Sequence, residues 1–331
     1  MSMTSAITHT PTRACLAGED LDWLGHRSVC VAADLPTRIQ VAASGAQDPH
    51  PEVEATATAV WNHMRRSLPG PTVTRRPAVS VDASAPLASG LSSSSSLVIG
   101  LLRAFARYLG VEVDGAALLE WSYTYEYEIY HGGGMDQTSI IAGGAVRTEG
   151  RDGSVPVLTG CVPFPEEWRI VVVDSATPKS TVRHLADVRR QSQEGDRRLD
   201  DYITAADRCA AQVWSAIADS DLTLLGSAME QAHTAMRDIQ HMSSSVLEDI
   251  RQITRRTVGL PLKVTGAGGG GSMIGVCPRG DAGEIQRSLS RSLKEAYPRA
   301  QVLIADAVPV TGELEVARPH TRSGATGLIL K

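Results

Sequence analysis

Five consecutive serines, Ser92–Ser96, follow a Gly-Leu step and stand between a strand pattern, PAVSVDA, and a helical one, SLVIGLLRAFARYLG. A small, polar loop in that position constrains the chain more than any other segment. In the helical stretch Leu97, Leu101, Leu102, Phe105 and Leu109 recur at helical spacing, and Gly110 supplies a stop signal. By composition alone such a run is a flexible linker. At the head of a helix it has a second meaning. Unpaired N–H groups and the positive end of the helix dipole converge there, and small side chains let phosphate oxygens come close. Serine hydroxyls add donors and an oxygen ligand of the kind Mg²⁺ prefers.

Two further segments carry chemistry. In GAGGGGS, Gly266, Gly268 and Gly271 satisfy G-x-G-x-x-G, but a strand pattern, SMIGV, follows where a dinucleotide fold needs a helix. No G-x-x-x-x-G-K-[ST] occurs. The segment is therefore a glycine-rich hairpin, either without a ligand or closing one side of a phosphate site. In TRACLAGEDLDWLGH, Arg13 stands near Glu19, Asp20 and Asp22, and GMDQ places Asp136 beside Gly134 in a Gly-flanked turn. Such charges are commonly solvated surface. Here Leu16, Leu21 and Trp23 interleave with the acids, which draws several carboxylates toward a partly buried site. Carboxylates accept hydroxyl protons and suit a polyhydroxylated ligand. An Asp on a loop can orient or deprotonate an attacking hydroxyl, and a guanidinium neutralises charge on a transferring phosphoryl group.

The rest of the chain supports a small-molecule function. With 331 residues, 42% of them hydrophobic, there is material for a large core and two domains. A charged fraction of 21% and a net charge of -5 give no bulk grip on nucleic acid or on an anionic membrane. Cys15, Cys30, Cys161, Cys209 and Cys277 form no C-x-x-C pair, which argues against zinc and a disulfide framework and fits a reducing cytoplasm. No signal peptide or spanning helix is expected. RSVCVAADLPTRIQVAAS reads as two strands joined by a turn at Asp34 to Thr37. EEWRIVVVDS reads as a buried strand. Helical patterns run through VDGAALLEWSYTYEYEIY, LADVRRQSQ, DYITAADRCAAQVWSAIA, LTLLGSAMEQAHTAM, SSVLEDIRQITRR and DAGEIQRSLSRSLKEAY, with closing strands QVLIADA and GATGLIL. Strands, then helices, then strands again predict an α+β protein in two parts, dividing within 160–180.

The three segments together resemble the GHMP small-molecule kinases. TPTRACLAGEDLDWLG is similar to that family's first motif, ASGLSSSSS to its Ser-rich ATP motif and KVTGAGGGGSMIGV to its third, all in the family's order. The resemblance implies an N-terminal domain like ribosomal protein S5 domain 2, over residues 1–168, and a ferredoxin-like C-terminal domain, over 169–331. ATP and Mg²⁺ would bind between them. It implies ATP binding by Ser89, Gly90, Leu91, Ser92, Ser93, Ser94 and Ser95, with Gly266, Gly268 and Gly269 opposite. Asp136 would be the catalytic carboxylate and Arg13 its cationic neighbour. Glu19, Asp20, Asp22 and Gly134 would hold the acceptor, and Ser94 with Glu126, or its rival Glu128, the metal.

The first motif and GMDQ look most like galactokinase. Asp20 stands where galactokinases have His, and Leu24 and His26 break the usual Asn-Gly-Gly, which departs from a galactose pocket. VVVDSATPKSTVRHLADVR and LGSAMEQAHTAM look more like mevalonate kinase. The acceptor-pocket residues imply a sugar or sugar-like polyol, including a cyclitol or an anomeric hydroxyl. A branched hydroxy acid is the alternative acceptor, and a silent sugar and ATP sensor a third possibility. Neither nucleic acid nor membrane is implied as a partner, and the oligomeric state is left open.

Overall fold

A computed structural model describes residues 5–45, 50–67, 75–86, 89–130, 132–152 and 155–317. The chain begins with β1 (Ser5–Ala17), a short α1 (Leu21–Leu24) and β2 (Ser28–Ala42). It continues through α2 (Pro51–Ser67), β3 (Ala78–Ala83), α3 (Ser93–Leu109), α4 (Gly115–Tyr130), α5 (Met135–Ala142), β4 (Ala145–Asp152) and β5 (Val155–Val162). These strands form one sheet in the order β1-β2-β4-β5, with β3 also on β2. Ile39 and Val41 of β2 pack under Trp61 and Met64 of α2, Leu101 and Phe105 of α3, and Ile140 of α5. Gly100 lets α3 come close, since a Cβ there would stand 2.6 Å from Ile39 Cδ1.

The expected pair of strands with a turn at Asp34 to Thr37 is instead the single strand β2. Its register against β1 jumps from Thr10–Thr37 to Thr12–Ala33, so a bulge opposite Pro11 absorbs Asp34, Leu35 and Pro36. The backbone there is satisfied without reversing: Asp34 N–H donates to the Asp306 carbonyl at 2.9 Å, and the Pro36 carbonyl accepts from Ser84 N–H at 3.0 Å.

The second half consists of β6 (Trp168–Asp174), α6 (Thr181–Glu194), α7 (Arg197–Ala218), α8 (Leu222–Asp238), α9 (Ser245–Val258), β7 (Lys263–Val264), β8 (Ser272–Pro278), α10 (Ala282–Leu293) and β9 (Gln301–Ala305). Its sheet is antiparallel, in the order β7-β8-β6-β9. All seven residues of β6 are buried, as its unbroken apolar run requires. The α+β class read from the sequence is therefore found. The strand expected at GATGLIL lies outside the described residues.

One core joins the halves. Val29 and Val31 of β2, Ile170 and Val172 of β6, and Ala210 and Val213 of α7 belong to a single buried cluster. After β9 the chain returns to the first sheet. Val308 N–H donates to the Ala32 carbonyl at 2.9 Å, Thr311 N–H to Ala142 at 2.8 Å and Ala317 N–H to Leu158 at 2.8 Å. Among the described residues no helix is long and apolar enough to cross a membrane.

Candidate active site

A cavity of about 810 Å³ opens where the serine loop, the heads of α3 and α5, and the glycine-rich loop between β7 and β8 meet. Arg13 reaches its wall from β1 with only 4% of its side chain exposed. Its Nε donates to Asp136 Oδ1 at 2.7 Å, and its Nη1 donates to the Gly90 carbonyl at 2.7 Å. Arg13 N–H also donates to the Leu91 carbonyl at 3.1 Å, so one residue fixes both the carboxylate and the serine loop. Asp136 lies in the first turn of α5, which Gly134 opens at φ 103, and its side chain keeps 29% exposure toward the cavity.

Glu126 projects from α4 into the same wall. Ser95 Oγ donates to its Oε2 at 2.8 Å, and Gln137 Nε2 donates to the same oxygen. Its Oε1 is buried without a partner. Burial, reinforced by the charge of Asp136, pushes the Glu126 carboxyl up to about 8. The sequence assigns the metal-binding hydroxyl to Ser94, yet it is Ser95 that meets Glu126. Ser94 is exposed on the cavity rim, because the helix turns successive residues of the run by 100°.

Each of the three acids after β1 already has a partner. Glu19 Oε1 takes the ammonium of Lys263, which is fully buried, while Glu19 Oε2 has none. Asp20 Oδ2 meets His184 Nε2 of α6 at 2.8 Å. Burial pulls His184 down, but the Asp20 carboxylate outweighs it and holds the imidazole above its ordinary range. Asp22 Oδ2 accepts from Met135 N–H at 3.0 Å, which seats the head of α5, and burial raises its carboxyl to about 6. Lys263, His184 and Gln137 are not foreseen from sequence as site residues, and Ser95, expected on the ATP side, is not foreseen as the partner of Glu126. Lys263 carried a signal in its position at the start of KVTGAGGGG, whereas His184 comes from a helix remote in sequence.

The glycine-rich segment divides. Gly266 faces the main cavity, while Gly268 and Gly269 line a second one of about 530 Å³ on the far side. Gly271 packs on the serine loop, where a Cβ would stand 2.6 Å from the Ser89 carbonyl, and Ser272 N–H donates to that carbonyl at 2.7 Å. Gly266, Gly268, Gly269 and Gly271 all have φ between 71 and 76, a conformation that glycine alone takes without strain.

These groups fit a polyphosphate and a hard cation. Ser89 Oγ and Ser92 Oγ are buried hydroxyls without partners, and a Cβ at Gly90 would collide with the Thr265 carbonyl. No group of three or more His, Cys, Asp or Glu able to hold a metal occurs among the described residues. One carboxylate and a hydroxyl suit Mg²⁺, which takes few protein ligands and completes its shell with phosphate and water.

Residues 55–144 match the GHMP kinases N terminal domain and residues 214–295 the GHMP kinases C terminal domain, together just over half of the chain. The protein belongs to the GHMP kinase family. It is similar to a mevalonate kinase of Thermococcus sibiricus, 28% identical over 225 residues that cover 66% of this chain and 63% of that protein. It is also similar to one of Pyrococcus horikoshii, 26% identical over 207 residues, 60% of this chain and 59% of that protein. The match thus spans less than two thirds of these relatives' length. In fold it is similar to Lactococcus lactis galactokinase complexed with galactose, at a TM-score of 0.76 and 16% identity over 95% of this chain and 96% of the other. The L. major mevalonate kinase in complex with R-mevalonate superposes with a TM-score of 0.75 and 20% identity, over 94% and 99%.

Proposed function

We propose that this protein is an ATP-dependent phosphotransferase that moves the γ-phosphoryl group to a hydroxyl of a sugar or sugar-like polyol, the anomeric hydroxyl and cyclitols included. The observation that carries this is the buried Arg13 fork, which binds Asp136 and the Gly90 carbonyl at once. It couples an acceptor-side carboxylate to a phosphate-side loop within one hydrogen-bonded unit. Asp136 orients or deprotonates the hydroxyl, and Arg13 offsets negative charge on the transferring group. The serine loop and Gly266 hold the phosphates with backbone N–H groups. Glu126, with Ser95 at its side and Ser94 on the cavity rim, would hold Mg²⁺. The chemistry a bound Mg²⁺ supplies is neutralisation of the phosphate oxygens.

Asp20, Asp22 and the free oxygen of Glu19 border the acceptor end of the cavity and accept hydroxyl protons. We assign residues 1–168 and 169–331 to the two domains of the fold, with the segment after β9 returning to the first. The unpaired cysteines support a reducing cytoplasm. A branched hydroxy acid is the second acceptor class. It is favoured by His184, an imidazole at the cavity wall that Asp20 holds above its ordinary range, and by the mevalonate kinase relatives. ADP release is the test, measured with ATP and Mg²⁺ against monosaccharides, uronic acids, cyclitols and mevalonate. Turnover confined to a polyol supports the proposal, turnover of mevalonate alone replaces it with the second class, and none with any acceptor refutes both.

A further inference from the structure

The short connection from β6 to α6 carries a cation that neither the motifs nor the site described above employ. Lys179 Nζ stands 2.6 Å from where a Cβ of Gly90 would lie and 3.2 Å from one at Gly266, so the ammonium lies beside the notch between the serine loop and the glycine-rich loop, on the wall of the second cavity. The backbone that presents it is tied down. Ser175 N–H donates to the Gly271 carbonyl at 3.0 Å, Gly271 N–H donates to the Thr177 carbonyl at 2.9 Å, and Ser180 caps α6 by accepting from Arg183 N–H.

The ammonium has no hydrogen bond or ion pair among the described residues. The acids near it are engaged elsewhere: Asp136 with Arg13, Asp174 with Ser272 Oγ, Glu19 with Lys263 and Asp20 with His184. An unpaired, half-buried ammonium beside a second cation, Arg13, is an unfavourable arrangement in the free protein. It becomes favourable once an anion enters the notch, and that notch is lined by small residues which leave room for oxygens rather than for a side chain.

Building on the function proposed above, we infer that Lys179 contacts the terminal phosphoryl group of the nucleotide and neutralises charge there together with Arg13. Lysine acts in such a place as a compact point charge with three donors. The groups that face it are Arg13 from β1, Asp136 from α5, Asp174 from β6, His184 from α6 and Glu19 from the turn after β1. Burial, followed by the charge of Arg13, brings the ammonium down to about 8, so that it is held close to losing its proton until a phosphate arrives.

The test compares AMPPNP and ADP binding by calorimetry in the presence of Mg²⁺, which needs no knowledge of the acceptor. Wild-type protein is expected to prefer AMPPNP. In Lys179→Met, AMPPNP affinity should fall about ten- to hundredfold while ADP affinity changes less than about threefold, the loss of one charge-assisted contact confined to the third phosphate. Lys179→Arg should retain part of the preference. Should Lys179→Met not fold, Lys179→Gln supplies the same comparison. Equal weakening of both nucleotides, or a preference unchanged by substitution, overturns the role of Lys179 and leaves the phosphotransferase proposal standing. Wild-type protein that binds no nucleotide overturns that proposal, and this one with it.

Discussion

Lys263 offers the sharpest energetic test of how the candidate site is built. Its ammonium is fully buried, and its three protons go to Glu19 Oε1, to the Cys15 carbonyl at 3.2 Å and to the Val264 carbonyl at 2.8 Å. Lys263→Met keeps the stem and removes the charge. Glu19, whose other oxygen already lacks a partner, is then a buried carboxylate with none, and breaking one side of such a pair costs about 3–5 kcal/mol. The shared core makes the two halves unfold together, so one transition is expected. At about 2.1 cal/mol/K per residue the 331-residue chain has an unfolding entropy of roughly 0.7 kcal/mol/K, and the loss corresponds to a fall in Tm of about 4–7 °C at pH 7. Calorimetry checks this directly. Adding Glu19→Gln removes the stranded charge and should restore all but about 1–2 kcal/mol. A Lys263→Met protein melting within about 1 °C of wild type, or a double variant no better than the single, refutes this account of the pair.

Three further outcomes are expected. Asp136→Asn keeps an oxygen for Arg13 but removes the charge, so kcat should drop about 10²–10⁴-fold with ATP binding nearly intact, as steady-state kinetics and calorimetry can establish. Because the Glu126 carboxyl sits at about 8, Mg²⁺ must displace its proton. Apparent Mg²⁺ affinity should rise by about tenfold per pH unit toward pH 8 and then level off, and metal-free protein should lose stability as pH climbs from about 4.5 through 8. Both trends should vanish in Glu126→Gln, in metal titrations and melting curves respectively. Ser92 holds φ 57 with a buried, unpartnered hydroxyl, and a non-glycine residue costs about 1–2 kcal/mol there. Ser92→Gly should therefore melt above Ser92→Ala, and the reverse order would show that the left-handed turn is not strained.

What the sequence reveals of this molecule depends on what lies against each strand. β6 is buried along its whole length, so its apolar run announces it. β1 hides its nature: Thr8, Thr10 and Thr12 point inward, at 2%, 0% and 0% exposure, while Ile7 points out at 41%. No apolar alternation marks it, although its inner face is as buried as any other. The turn expected in β2 fails for a related reason, since the register shift opposite Pro11 comes from a strand that precedes it in sequence. The Arg13–Asp136 relation was legible because each residue sits in its own local motif. Pairs such as Glu19–Lys263 and Asp20–His184 join residues 244 and 164 positions apart, and nothing local in either partner names the other.

The segment that follows β9 has a consequence for how the protein is made. Residues 306–317 complete the edge of β2 and hydrogen-bond to the end of α5, the helix that carries Asp136. A ribosome that has released β5 must still translate about 150 residues before that edge can close, some 8–30 s at ordinary elongation rates. Through that interval the first sheet waits with an unpaired stretch of β2, and the C-terminal end of α5 waits without these hydrogen bonds. Nascent chains in this window are the ones a holdase chaperone would meet.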